Sequence, residues 1–190
     1  MLLLGAAPGG HDLTLQIVDE SGRPVEDAVA TLKPDNGLPD GAARLPATAV
    51  MVQQNIAFGP HVLIVPTGAT VQFPNRDKVR HHIYSFSRPA RFEMKLYGKD
   101  ETRSHSFPAI GTVALGCNIH DRMSGFIRVV DTPFAAKSNA GGAIQLRDVP
   151  SGNATLVIWH PRAKGRDGEL PLRIAMPAAA VSKRITLALR

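Results

Sequence analysis

The sequence predicts an all-β protein made of two sandwich-like parts. Apolar residues fall in short runs, several alternating with polar ones, which is the period of a half-buried strand. Seventeen glycines and fifteen prolines punctuate those runs as turns. No long apolar stretch repeats every 3.6 residues, so helix content is expected to be low. At 190 residues the chain can bury one or two cores.

Taken in order, residues 1–10 are apolar and then small, Met-Leu-Leu-Leu-Gly-Ala-Ala-Pro-Gly-Gly. They read as a truncated secretory signal or a disordered start, lacking a basic flank and far too short to span a membrane. His11 to Asp19 alternates Leu13, Leu15 and Ile17 against Thr14 and Gln16 and is predicted to be a strand. Glu20 to Pro24 is a turn, and Ala28 to Leu32 a second strand. Lys33 to Thr48, rich in Pro, Gly, Asp and Ala, is a loop or linker. Strands are then expected at 55–66, 70–75, 83–86, 92–97, 112–117 and 125–130. Asp131 to Gly142 marks a second boundary. Four strands follow, at 143–147, 154–159, 170–175 and 184–189. Four strands cover two sheet faces poorly, and the two N-terminal ones bring the number to six. The expected organisation is therefore 11–47 paired with 131–190, around a central domain at 48–130; the competing layout puts the N-terminal strands in the central domain.

Charge is unevenly spread. Residues 1–75 carry three basic and seven acidic side chains, a net −4, and the remainder carries +10, which gives the overall +6. Between Arg76 and Arg103 eight basic residues face four acidic ones. That side would steer an acidic partner or an anionic surface. Nucleic acid is not expected: no helix-turn-helix, zinc-finger spacing or aromatic–basic strand is present. The single cysteine excludes an intramolecular disulfide, a four-cysteine zinc or iron–sulfur site, and a two-cysteine dinuclear copper centre.

That cysteine lies in Gly116-Cys117-Asn118-Ile119-His120-Asp121-Arg122-Met123. A thiolate, an imidazole and a thioether at i, i+3 and i+6 are soft and borderline donors, and copper suits them best. A trigonal site needs a second imidazole, and Phe73-Pro74-Asn75, followed after a short loop by His81-His82, supplies one. Two imidazoles and a thiolate with a weak thioether accept both Cu(I) and Cu(II) with little rearrangement. Adjacent residues of a strand face opposite sides, so only one of His81 and His82 can serve. The residues alone leave either histidine open as the ligand.

Asn75-x5-His81 with Cys117-x2-His120-x2-Met123 resembles the cupredoxins, the plastocyanin-like blue copper proteins. The short ligand loop looks most like amicyanin. The wider chain is similar to cupredoxin-domain proteins of methylamine utilisation in its His pair, Gly-Cys-Asn-Ile-His-Asp loop and Trp-His-Pro strand end. The resemblance covers residues 49–130 well and the flanks loosely. It implies a Greek-key β-sandwich with one type 1 copper site. His81, Cys117 and His120 would be the equatorial ligands and Met123 the axial one. It also implies single-electron transfer between periplasmic redox proteins such as a dehydrogenase or a cytochrome c. The family usually places an Asn after the first ligand histidine, where this chain has His82. The strand–turn–strand opening, Asp19-x2-Gly22-x-Pro24-Val25, resembles transthyretin-like or carboxypeptidase-regulatory-like sandwich domains.

Other residues have plainer readings. His61, His105 and His160 lack a partner at ligand spacing and are expected at the surface or in turns. Met51 and Met94 suit packing, and Asp121 and Arg122 solvation. A cysteine nucleophile would need an orienting third residue and an oxyanion hole, of which no motif is present. Multicopper oxidases and nitrite reductases need further His ligands, so an enzyme is not expected. The alternative to a carrier is a module that binds or delivers copper without redox turnover.

Overall fold

A computed structural model describes residues 10–190, so the signal-like residues 1–9 lie outside the described residues. Among the described residues the regular elements are strands, apart from a 3₁₀ turn at Arg166–Gly168. Among the described residues no helix is long and apolar enough to cross a membrane. The protein is all-β, and the chain divides into two compact units. One comprises the described residues up to Ala42 together with Phe134–Arg190, the other Ala43–Pro133. Strands are numbered in chain order.

In the first unit, β1 (His11–Val18) lies between β14 (Ala143–Val149), antiparallel to it, and β17 (Val181–Thr186), parallel to it. A second sheet runs β13 (Ala135–Lys137), β2 (Val29–Pro34), β15 (Gly152–Trp159), β16 (Glu169–Met176), antiparallel throughout. Alternation explains the layering. Leu13, Leu15 and Ile17 of β1 are fully buried, with Thr14 and Gln16 between them. Ala30, Leu32, Leu156 and Ile158 meet them in one core. β13 falls in the stretch 131–142 expected to be a boundary loop. Its Ala-Ala-Lys sequence has no alternation, and pairing with β2 makes it a strand.

In the second unit one sheet runs β10 (Thr102–Phe107), β7 (Ala69–Pro74), β3 (Thr48–Val50). The other runs β6 (Val62–Pro66), β12 (Ser124–Val130), β11 (Gly111–Cys117), β8 (His81–Ser87), β9 (Ala90–Tyr97). A hairpin of β4 (Val52–Gln54) and β5 (Ala57–Gly59) completes it. Val71 and Phe73, Ile83, Phe107, Val113, Ile127 and Val129 are fully buried in a shared core. Burying each of the larger side chains contributes about 1.5–3 kcal/mol before entropy is counted.

Two expectations are corrected here. The run 55–66 is not one strand but β5 and β6, broken at Gly59-Pro60, since proline cannot donate to a ladder. β10 was not expected, because Thr-Arg-Ser-His-Ser is nearly all polar. It is an edge strand beside β7, with only Phe107 fully buried.

Candidate metal centre

The period of two places the cysteine. Along β11, Val113, Leu115 and Cys117 face the core, while Ala114 and Gly116 face out. Cys117 is the last residue of the strand and is 4% exposed. Along β8 the same rule buries His81, Ile83 and Ser85 and turns His82, Tyr84 and Phe86 outward. The two strands are antiparallel, with Cys117 opposite Ile83, so the end of one lies beside the start of the other. His81, fully buried, thereby reaches the thiol: its Nδ1 lies 3.8 Å from Cys117 Sγ.

The loop after Cys117 folds back on itself. His120 N–H donates to Cys117 C=O at 3.5 Å, and Met123 N–H to His120 C=O at 2.9 Å. This brings His120 Nδ1 to 3.5 Å from Cys117 Sγ. The two imidazole rings have centroids 5.0 Å apart, tilted by 60°. Asn118 N–H donates to His82 C=O at 3.0 Å and ties the two loops through the main chain. Met123 is 1% exposed and packs in the same core as Cys117.

One donor atom from each of His81, Cys117 and His120 lies within 4.8 Å of the other two. An ion bonded to nitrogen and sulfur at ordinary lengths sets those atoms about 3.6–3.8 Å apart, for trigonal and tetrahedral angles alike. The observed 3.8 and 3.5 Å fit. The donors therefore suit a metal, and their softness suits copper.

His82 does not join this group. Its Nε2 lies 2.7 Å from Glu93 Oε1 of β9, on the outer side of the sheet. His61 packs its ring edge-on to Phe126, and His105 stacks on Phe92. His160 lies at a turn, one of the two placements expected, where its Nδ1 accepts the Arg162 N–H; it is 8% exposed. Asp121 and Arg122 are exposed, and Met51 and Met94 are core.

Asp77 is the residue that the sequence reading missed. Its Oδ2 accepts a hydrogen bond from His81 Nε2 at 2.8 Å. Partial burial works to raise the Asp77 pKa. Hydrogen bonds from Ile56 N–H, His81 and Asn55 N–H outweigh it and hold the carboxyl below its ordinary value. Asn75, fully buried, knots the same loop: its amide donates to Val79 C=O and Tyr97 C=O, and its oxygen accepts Asp77 N–H. An acidic residue four before a candidate ligand was the available signal, but such spacing is common on any loop.

No known family profile matches the chain, and no curated protein sequence does. Solved structures to which it is similar include a purple cupredoxin, amicyanin and a copper-containing nitrite reductase. A purple cupredoxin from Nitrosopumilus maritimus is 23% identical, with a TM-score of 0.40, over 43% of this chain and 99% of that one. A copper(I) amicyanin variant is 20% identical, with a TM-score of 0.41, over 53% and 98%. A copper-containing nitrite reductase from Thermus scotoductus is 25% identical, with a TM-score of 0.43, over 62% of this chain but only 28% of the reductase.

Proposed function

We propose that this chain is a type 1 copper protein that passes single electrons between redox proteins, with His81, Cys117, His120 and Met123 as ligands. The observation that carries the reading is the convergence of two imidazole nitrogens on one buried thiol, at 3.8 and 3.5 Å. A copper ion held there would supply a one-electron couple. The chain's own part is to hold its donors still, so that little moves between oxidation states. His81 and Cys117 stand at strand ends and are buried in a close-packed core, which supports that role. His120 is only half-buried, so its ring edge is the nearest ligand atom to a partner. The basic balance of residues 76–190 suits an acidic partner, in the class of a dehydrogenase or a cytochrome c. A periplasmic location belongs to the same reading.

A delivery module is disfavoured by burial. Passing an ion to another protein requires ligands that a partner's side chains can reach, and His81 is 0% and Cys117 4% exposed. The test is Cys117→Ser in copper-loaded protein. The intense thiolate-to-copper absorption and the reversible one-electron wave should both vanish. Retention of the colour would remove Cys117 from the ligand set.

A further inference from the structure

Both nitrogens of the His81 ring are engaged in the fold. Nδ1 faces the thiol of Cys117, and Nε2 meets the Asp77 carboxylate at 2.8 Å. His81 is fully buried and the Asp77 side chain 12% exposed, so water screens this pair weakly. The same carboxylate has two more donors. Asn55 N–H reaches Oδ1 at 2.7 Å, and Ile56 N–H reaches Oδ2 at 3.0 Å.

Asn55 and Ile56 are the tip of the β4–β5 hairpin, and both have positive φ, 58° and 55°. Asn tolerates that conformation, but for a β-branched Ile it is an outlier costing about 1–2 kcal/mol. A strained turn persists where its surroundings over-determine it. Here the surroundings are one carboxylate collecting both tip N–H groups. That carboxylate is itself fixed through Asp77 N–H to Asn75 Oδ1 at 2.9 Å and through Arg76 N–H to Gln53 C=O at 2.8 Å.

We propose that Asp77 is a positioning residue that ties His81 to the β4–β5 hairpin tip, so that the hairpin's conformation and the metal centre's preference between oxidation states are coupled. The mechanism is direct. A carboxylate that accepts from Nε2 keeps the ring proton there and leaves the Nδ1 lone pair facing Cys117. Its negative charge strengthens the imidazole as a donor and favours the more highly charged Cu(II). Each N–H that the hairpin tip gives to the carboxylate draws on the same charge. The oxidation-state half rests on the copper reading; the tautomer and hairpin half does not.

The test uses the full chain and three readouts. In wild-type metal-free protein, nitrogen NMR should find His81 as the Nε2–H tautomer. In Asp77→Asn that single tautomer is lost, and amide exchange at Asn55 and Ile56 speeds up about tenfold or more, since an amide group cannot accept from all three donors. In copper-loaded Asp77→Asn, Cu(II) affinity falls relative to Cu(I) by about tenfold, which raises the potential by about 59 mV for a one-electron couple. Ile56→Gly keeps both N–H groups and the turn conformation, so it should leave the potential where it is.

An Nδ1–H tautomer in the wild type overturns the proposal even if Asp77→Asn does not fold. Faster exchange with tautomer and potential unmoved also overturns it, because Asp77 would then serve the hairpin alone. If Asp77→Asn behaves as expected without metal while the wild type shows no coloured copper form, the type 1 reading fails and the tie to His81 stands.

Discussion

Cys117 Sγ and His81 Nδ1 lie 3.8 Å apart although 36 residues of chain separate them. The antiparallel pairing of β11 with β8 sets one strand's last inward residue beside the other's first. His82, one residue on, is carried to the opposite face and meets Glu93. A single-residue step therefore separates an imidazole that faces the thiol from one on the outer side of the sheet.

That relationship gives the first prediction. His81→Ala should lower copper affinity by more than the roughly 10–100-fold that loss of a ligand's outer partner costs, and should abolish the charge-transfer band. His82→Ala removes a pair with a half-exposed carboxylate on the outer side of the sheet, so the band should persist. Absorption spectra of the two copper-loaded variants decide it. A band lost in His82→Ala and kept in His81→Ala would exchange their roles.

The all-β class was legible because alternation and turn residues report the local pleat. The approach of His120 to Cys117 was legible because the two are close in sequence. Which of His81 and His82 faces inward was not determined by spacing alone, since it depends on the register of β8 against the core. The hairpin tip at Asn55-Ile56 left no mark, because Ile is among the residues least suited to positive φ. Asp77 was invisible for a related reason. Its role exists only once that tip and His81 are brought to the same carboxylate, 22 and four residues away along the chain. The polar edge strand β10 was likewise defined by its neighbour, not by its own pattern.

The second prediction concerns two glycines flanking the centre. A Cβ on Gly125 of β12 would lie 2.9 Å from the Cβ of Phe58, a buried residue of β5 that cannot swing away. A Cβ on Gly116 of β11 would instead meet the Tyr84 ring tip at 2.7 Å, on the half-exposed outer face where the ring can turn. Gly125→Ala should therefore destabilise by about 1–3 kcal/mol, and Gly116→Ala by clearly less. Denaturant unfolding of the metal-free variants measures both. Equal costs would mean that Tyr84 is as fixed as Phe58.

The third prediction is a pH dependence carried by His105, away from the ligands. Its ring stacks on Phe92 at 4.1 Å and meets Phe107 edge-on at 5.1 Å. Burial disfavours the charged ring and lowers its pKa from the usual 6.5. Between the folded and unfolded values the unfolded chain binds more protons, so stability rises with pH. The contribution is complete above the unfolded value and is lost as pH falls through the lower folded one. His105→Gln cannot titrate, so unfolding free energies of the metal-free variant should change less between about pH 7.5 and about 5.5 than those of the wild type. The difference between the two pH profiles isolates this one ring from the other histidines. Parallel profiles would show that the aromatic stack admits the imidazolium, by a cation–π contact with Phe92, as readily as water does.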